Sequence, residues 1–264
     1  MHRLHPLLVP VILLALFQSC AGRAVRQVES GGPGTETIAI VGTNDLHGAL
    51  LPLRFQSLAS AGEPSVAYEA GGAAMLASYL RALREEWGGN MLWLDAGDAL
   101  TGTLESEVDQ GASMVAFLNQ NGLDAAAVGE NDLRLEALQA RVSEARFPYL
   151  AVNLRDSVTG KPAELPGALP SRILKAGGLN IGVIGIAGGR SAVQPARAAE
   201  RAFLGGKLRA GPAPDAVAAE AKRLRDSGAH LVIGLAHAGA ACEPGSAPVS
   251  HFIRKPSDPL GACS

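Results

Sequence analysis

The sequence predicts a layered α/β domain, and three observations carry that prediction. Short apolar runs of β type recur along the chain, stretches with helical apolar spacing lie between them, and the strands are continuously apolar rather than alternating. Continuously apolar strands are those covered on both faces, so helices must pack over the sheets. Hydrophobic residues make up 47% of the 264 residues, enough for a sizeable core. A net charge of −2 leaves no broad basic face for nucleic acid, and 4% aromatic residues provide no stacking platform for single strands.

The first residues stand apart from the domain. Met1-His2-Arg3 give a short positive start, Leu7 to Phe17 is apolar, and Gln18-Ser19-Cys20 follows. This is the layout of an export signal, too short to span a bilayer comfortably. A cysteine after a small residue at the end of the apolar run resembles a bacterial lipoprotein box, with Phe17 where leucine is more usual. Residues 1–20 are therefore expected to be the signal, with Cys20 as the lipidated residue. Residues 21–35 are expected to be a polar, Gly-rich tether. The protein would be exported to the periplasm or cell envelope and held at the membrane by a lipid anchor. Ordinary signal cleavage nearby is the plainer alternative.

The domain itself is expected over residues 36–239. Its strand candidates are Thr37–Val41, Met91–Leu94, Ala125–Val128, Tyr149–Val152, Arg172–Leu174, Ile181–Ile186 and Leu231–Leu235. Met75, Leu76, Tyr79, Leu80 and Leu83 share one helical face, with Arg81, Arg84 and Glu85 off it. Met114, Val115 and Leu118 mark a second helix, Leu135, Leu138 and Val142 a third. Val217, Ala221 and Leu224 mark a fourth, opened by Pro214-Asp215. The Pro- and Gly-rich stretch 159–170 and the Ala- and Arg-rich stretch 188–211 read as loops. Residues 240–264 read as an irregular tail. Cys242 and Cys263 could pair in an exported protein or stay free, and nothing resembles a CxxC metal site.

Chemistry collects at the strand ends, where α/β folds place functional groups. The first strand runs into Asp45-x-His47, the second into Asp95-Ala96-Gly97-Asp98, the third into Gly129-Glu130-Asn131-Asp132, and the last into Ala236-His237. Mixed carboxylates, imidazoles and an amide suit borderline divalent metals such as zinc, manganese or iron. Two such ions need a bridging carboxylate and separate ligands on each side, and together they activate a water for attack on phosphorus. Each residue also has a bland reading. Asp45, His47, Asp98 and His237 could close strand ends, Asp95 could orient its loop, and Asn131 or Asp132 could cap the following helix. Gly182-x-x-Gly185-x-x-Gly188 lacks the dinucleotide spacing, and Gly71-Gly72 suits a tight turn better than an anion site.

Six blocks, "VGTNDLHG", "LWLDAGDALTGT", "LDAAAVGEND", "YLAVNL", "NIGVIGI" and "AHLVIGLAHAG", resemble in order the 5'-nucleotidase branch of the calcineurin-like metallophosphoesterases, over about Ile38 to Gly239. The resemblance implies a four-layer α/β/β/α sandwich of the metallophosphoesterase type, forming a single domain. It implies two divalent ions of the zinc, manganese or iron class, with Asp45 and His47 on the first, Asp98 bridging, and Asn131 and His237 on the second. It implies a phosphoric monoester hydrolase using metal-activated water on a small phosphorylated substrate such as a nucleotide.

Departures from the family pattern are equally plain. The family writes Gly-Asn-His-Glu after the third strand, where this chain has Gly129-Glu130-Asn131-Asp132. With the glycines aligned, Glu130 stands at the metal-binding asparagine and Asn131 at the histidine; shifted by one, Asn131 stays the ligand and Asp132 takes the histidine's place. Either way the histidine that protonates the leaving group is gone. The chain ends before a Gly-His-x-His element that completes both metal shells, so the second site is expected to be incomplete. His251 comes too early to replace it. The nucleoside-gripping C-terminal domain is missing as well, as expected of a fragment, a truncated product or a degraded paralogue. The competing function is therefore a catalytically impaired metal- or nucleotide-binding lipoprotein that keeps the fold.

Overall fold

The computed structural model describes residues 35–56, 66–188 and 207–237. The chain divides into two units, Met1–Thr37 and Ile38–Ser264, and the architecture below belongs to the second. The expected signal, Cys20, nearly all of the tether and the tail beyond 237, with its two cysteines and His251, lie outside the described residues.

Strands β1 (Ala39–Thr43), β4 (Met91–Asp95), β5 (Ala125–Ala127) and β6 (Tyr149–Leu150) form a parallel sheet in that order. β4 is buried along its whole length, as its uninterrupted apolar run requires. Its side chains alternate between the two faces. Met91 and Trp93 meet the helices α1 (Gly72–Trp87), α3 (Ala112–Gln120) and α4 (Leu138–Glu144) through Leu80, Met114, Leu118 and Leu138. Leu92 and Leu94 face the other way, toward Ile181, Val183 and Leu235. Those three residues belong to a second sheet, in which β9 (Leu179–Ile186) pairs in parallel with β11 (Leu231–Ala236) and antiparallel with β8 (Ser171–Ala176). Helix α5 (Pro214–Asp226) covers its far side through Leu224, which packs on Gly182. The layers thus run helix, sheet, sheet, helix, the four-layer sandwich that the sequence led us to expect.

The sheets come close at Gly185, where a Cβ would collide with the backbone of Leu150. Gly185 in turn accepts a hydrogen bond from the Val152 amide at 2.8 Å. The glycines at 182 and 185 therefore lie inside a packed strand, away from any helix start. Gly71 and Gly72 both take positive φ at the turn into α1, and the Ala73 amide is already bonded to Leu50.

Several features differ from the sequence reading. A two-stranded antiparallel hairpin, β2 (Leu53–Gln56) with β3 (Ala67–Ala70), precedes α1, and its residues are almost all exposed. Part of the 188–211 stretch expected as loop is strand β10 (Leu208–Ala210), paired with β7 (Leu154–Asp156). The third helix begins at Leu138 rather than running through Leu135. Residues Asp132–Arg134 instead make a single 3-10 turn, and Leu135 is extended after it. A short helix α2 (Leu104–Val108) also follows the β4 loop, its first turn closed by Thr103 and Ser106 in a capping box.

Candidate metal centre

Parallel strands align their C-terminal ends, so the turns after β1, β4, β5 and β11 meet along one rim. Asp45, Asp98 and His237 converge there, with one potential ligand atom from each lying within 4.8 Å of the others. Asp98 is buried, His237 is half-buried and Asp45 is exposed, so the cluster opens to solvent on the Asp45 side. His237 Nε2 stands 3.1 Å from Asp98 Oδ2.

His47 lies beside Asp45, outside the three-residue cluster. Its Nε2 is 3.4 Å from Asp45 Oδ1, and its Nδ1 is 3.2 Å from the Thr101 carbonyl. A carbonyl only accepts, so Nδ1 donates there and Nε2 is the nitrogen that faces the Asp45 carboxylate. A ring fixed by a carbonyl on its other nitrogen is the usual support of a ligating histidine. The donor set of two carboxylates and imidazole nitrogens fits a zinc- or manganese-class divalent cation.

Backbone conformation singles out the same residues. Among the described residues four non-glycines take left-handed φ: Asp45 (52°), His47 (46°), Asp98 (57°) and Gln110. Each such residue costs roughly 1 kcal/mol or more, and strain of this kind gathers at functional sites. The amides of Asp45 and His47 donate to the carbonyls of Gly97 and Asp98, which holds the two left-handed turns against each other.

Asn131 touches the cluster from the far side. Its amide Nδ2 donates to Asp98 Oδ2 at 2.7 Å and its backbone N–H to Asp98 Oδ1 at 2.8 Å. Although Asn131 stands at the cap position of the 3-10 turn, its side chain makes no capping bond. Burial alone would raise the Asp98 carboxyl, but hydrogen bonds from His237 and Asn131 hold it below its usual value. The same bond to Asp98 raises His237 against the opposing effect of burial.

Asp132 is placed differently from the catalytic expectation. It is buried, and both its oxygens accept from backbone amides: Asp98 (2.9 Å), Gly129 (3.0 Å) and Leu100 (3.2 Å). The carboxylate pins the β4 and β5 loops together and has no face left for a substrate. Burial, with Asp98 nearby, pushes its carboxyl up.

Asp95 does orient its loop, accepting from the Gly97 amide at 2.8 Å and the Thr43 hydroxyl at 2.7 Å. Burial raises its carboxyl to about 7, against those two hydrogen bonds. A carboxyl raised on folding adds stability below its unfolded value, and that stability is lost as pH rises through about 7. Asp95→Asn stays neutral throughout. The variant is therefore expected to gain about 2–3 kcal/mol on wild type between about pH 5 and about pH 8. Urea unfolding at the two pH values measures the gain, and a constant difference would contradict it.

Arg134 escaped the sequence reading. Its guanidinium donates to Asn131 Oδ1 (3.2 Å) and to Glu130 Oε1 (3.3 Å). Spacings of three and four residues are the available signal, since one helical turn brings such residues together.

The chain is similar to the 5'-nucleotidase of Vibrio cholerae, 29% identical over 229 residues that make up 86% of this chain and 38% of the relative. Among solved structures it resembles a 5'-nucleotidase precursor from Thermus thermophilus, with a TM-score of 0.61 and 24% identity over 76% of this chain and 37% of that one. A calcineurin-like phosphoesterase from Bacillus subtilis shares the fold at a TM-score of 0.56 and 19% identity, covering 76% of this chain and 62% of its own. No family model matches. The chain spans under two fifths of the length of the Vibrio relative.

Proposed function

We propose that this chain, a relative of the N-terminal part of the 5'-nucleotidase branch of the metallophosphoesterases, is a metal-dependent phosphoric monoester hydrolase acting on a small phosphorylated substrate of the nucleotide type. The convergence of Asp45, Asp98 and His237 carries the reading. A divalent cation there supplies the electrophile and the acidified water that phosphate-ester hydrolysis needs. Asp45, Asp98 and His237, with His47 beside Asp45, would hold the cation. Asn131 fixes both oxygens of Asp98, and Asp132 fixes the loop that carries it. The open Asp45 side is where a phosphate ester would enter. The domain is assigned to residues 36–239. Export and a lipid anchor at Cys20 rest on the apolar stretch that precedes that cysteine. No helix among the described residues is long and apolar enough to cross a membrane.

A second reading is favoured by one observation: the residue touching the far side of Asp98 is Asn131, whose amide has no proton to give a leaving group. On that reading the protein binds metal or nucleotide and turns over little. A single experiment separates the two. The full chain, stripped of metal and reloaded with Mn²⁺ or Zn²⁺, is expected to hydrolyse an aryl phosphate. Chelator is expected to return the rate to that of buffer, and re-addition of metal to restore it. Metal uptake with a buffer rate throughout would instead establish the binding protein.

A further inference from the structure

Asp98 has two unlike sets of neighbours. Asp45 and His237 bring ligand atoms within 4.8 Å of it and of each other, with His237 Nε2 on Oδ2. Asn131 presents only hydrogens: the backbone N–H to Oδ1 and the amide NH₂ to that same Oδ2. A cation ligated by the Asn131 side chain would need the amide oxygen, because a neutral NH₂ has no available lone pair.

The amide oxygen is turned away and held there. Arg134 donates to it, and Glu130 takes the other arm of the guanidinium. Reversing the amide would set its oxygen against the Asp98 carboxylate and its NH₂ against a guanidinium, replacing two attractions by two repulsions. The guanidinium also carries a permanent positive charge beside the place a second dication would occupy. Asn131 thus does for Asp98 what a cation would do: it satisfies the outer lone pairs of a buried carboxylate.

We infer that the rim formed by the described residues holds a single divalent cation, between Asp45, Asp98 and His237, with the Asn131 amide in place of a second ion and Arg134 as the positioning residue that fixes the amide. The inference rests on the metal site proposed above and departs from the paired ions that the family resemblance implies. A one-ion centre still polarises a phosphoryl oxygen, but it has no second cation opposite to clamp the attacking and leaving oxygens together.

Titrating the metal-free full chain with Mn²⁺, read by calorimetry and by electron paramagnetic resonance, tests the inference without recourse to turnover. Wild type is expected to take one equivalent and give the six-line spectrum of an isolated ion. Asn131→Asp replaces the NH₂ with an oxygen ligand and is expected to take two equivalents, with the signal broadened by coupling between neighbouring ions. Arg134→Leu releases the amide to turn, and is expected to admit a second, weaker equivalent. It also serves if the extra carboxylate of Asn131→Asp prevents folding. Two coupled ions in wild type would overturn the inference. One equivalent in both variants would show that neither residue excludes the second ion, and would overturn it equally. A wild type that binds no Mn²⁺ removes the underlying metal site, which is a distinct result from binding two.

Discussion

Asp98→Ala is expected to bring metal-dependent hydrolysis down to background and to weaken Mn²⁺ binding by more than about 100-fold. Loss of a residue that merely supports a ligand costs about 10–100-fold in metal affinity, and Asp98 is a central ligand candidate. It is the one member of the cluster that is fully buried, and it receives His237 on one oxygen and Asn131 on both. Alanine removes all of those contacts at once. His237 loses the carboxylate that raises it, and its titration falls back toward the ordinary histidine range. The left-handed backbone at residue 98 suits alanine less than aspartate, a cost of about 1 kcal/mol, while the amide keeps its bond to Asp132. Calorimetry should therefore show lost binding in a protein whose far-ultraviolet dichroism is that of wild type. Unchanged Mn²⁺ affinity would mean that Asp45, Asp98 and His237 do not act as one site.

Gly129→Ala is expected to be nearly as damaging, though residue 129 has no side chain to contribute. A methyl there would collide with the Asp98 carboxylate and with its backbone nitrogen. Neither partner can yield easily. The Asp98 amide is bonded to Asp132, and so is the amide of Gly129 itself. The β4 and β5 loops would have to separate, which would break the Asp132 bonds in the interior. A cost of about 3 kcal/mol follows from overpacking combined with buried amides left unpaired. Metal affinity should fall about 10–100-fold, as for a displaced support of a ligand. Urea unfolding and Mn²⁺ titration read the two effects. A variant as stable as wild type would show that the loops are looser than their packing indicates.

The apolar runs of β4, β5 and β9 were legible in the sequence because burial on both faces leaves an uninterrupted signal, and β4 is the clearest case. Asp45, Asp98 and His237, which the fold brings together, each follow an apolar run in the sequence. The hairpin β2–β3 was not legible. All four residues of β2 are exposed, so no alternation marks the strand, and its pairing with β3 adds to the backbone bonds only the surface pairs Phe55–Tyr68 and Arg54–Glu69. Strand β10 spans only Leu208–Ala210 and depends on β7 for its hydrogen bonds. Asp132 shows the limit most clearly. Its position after a strand and before a helical turn suits a catalytic acid and a cap equally well. Only the packed structure turns it inward onto the amides of residues 98, 100 and 129. Arg134 was hidden for a similar reason, since its partners become neighbours only once residues 132–134 wind into a turn.

The Asp132 pin also bears on how this site can change over generations. Because one inward carboxylate ties the turn bearing Asp98 to the turn bearing Asn131, an insertion or deletion in either turn displaces both. Replacement of side chains at fixed length is the change that this tie leaves open. Lineages could thus trade one chemistry for another at the rim while the loop lengths beneath stay the same.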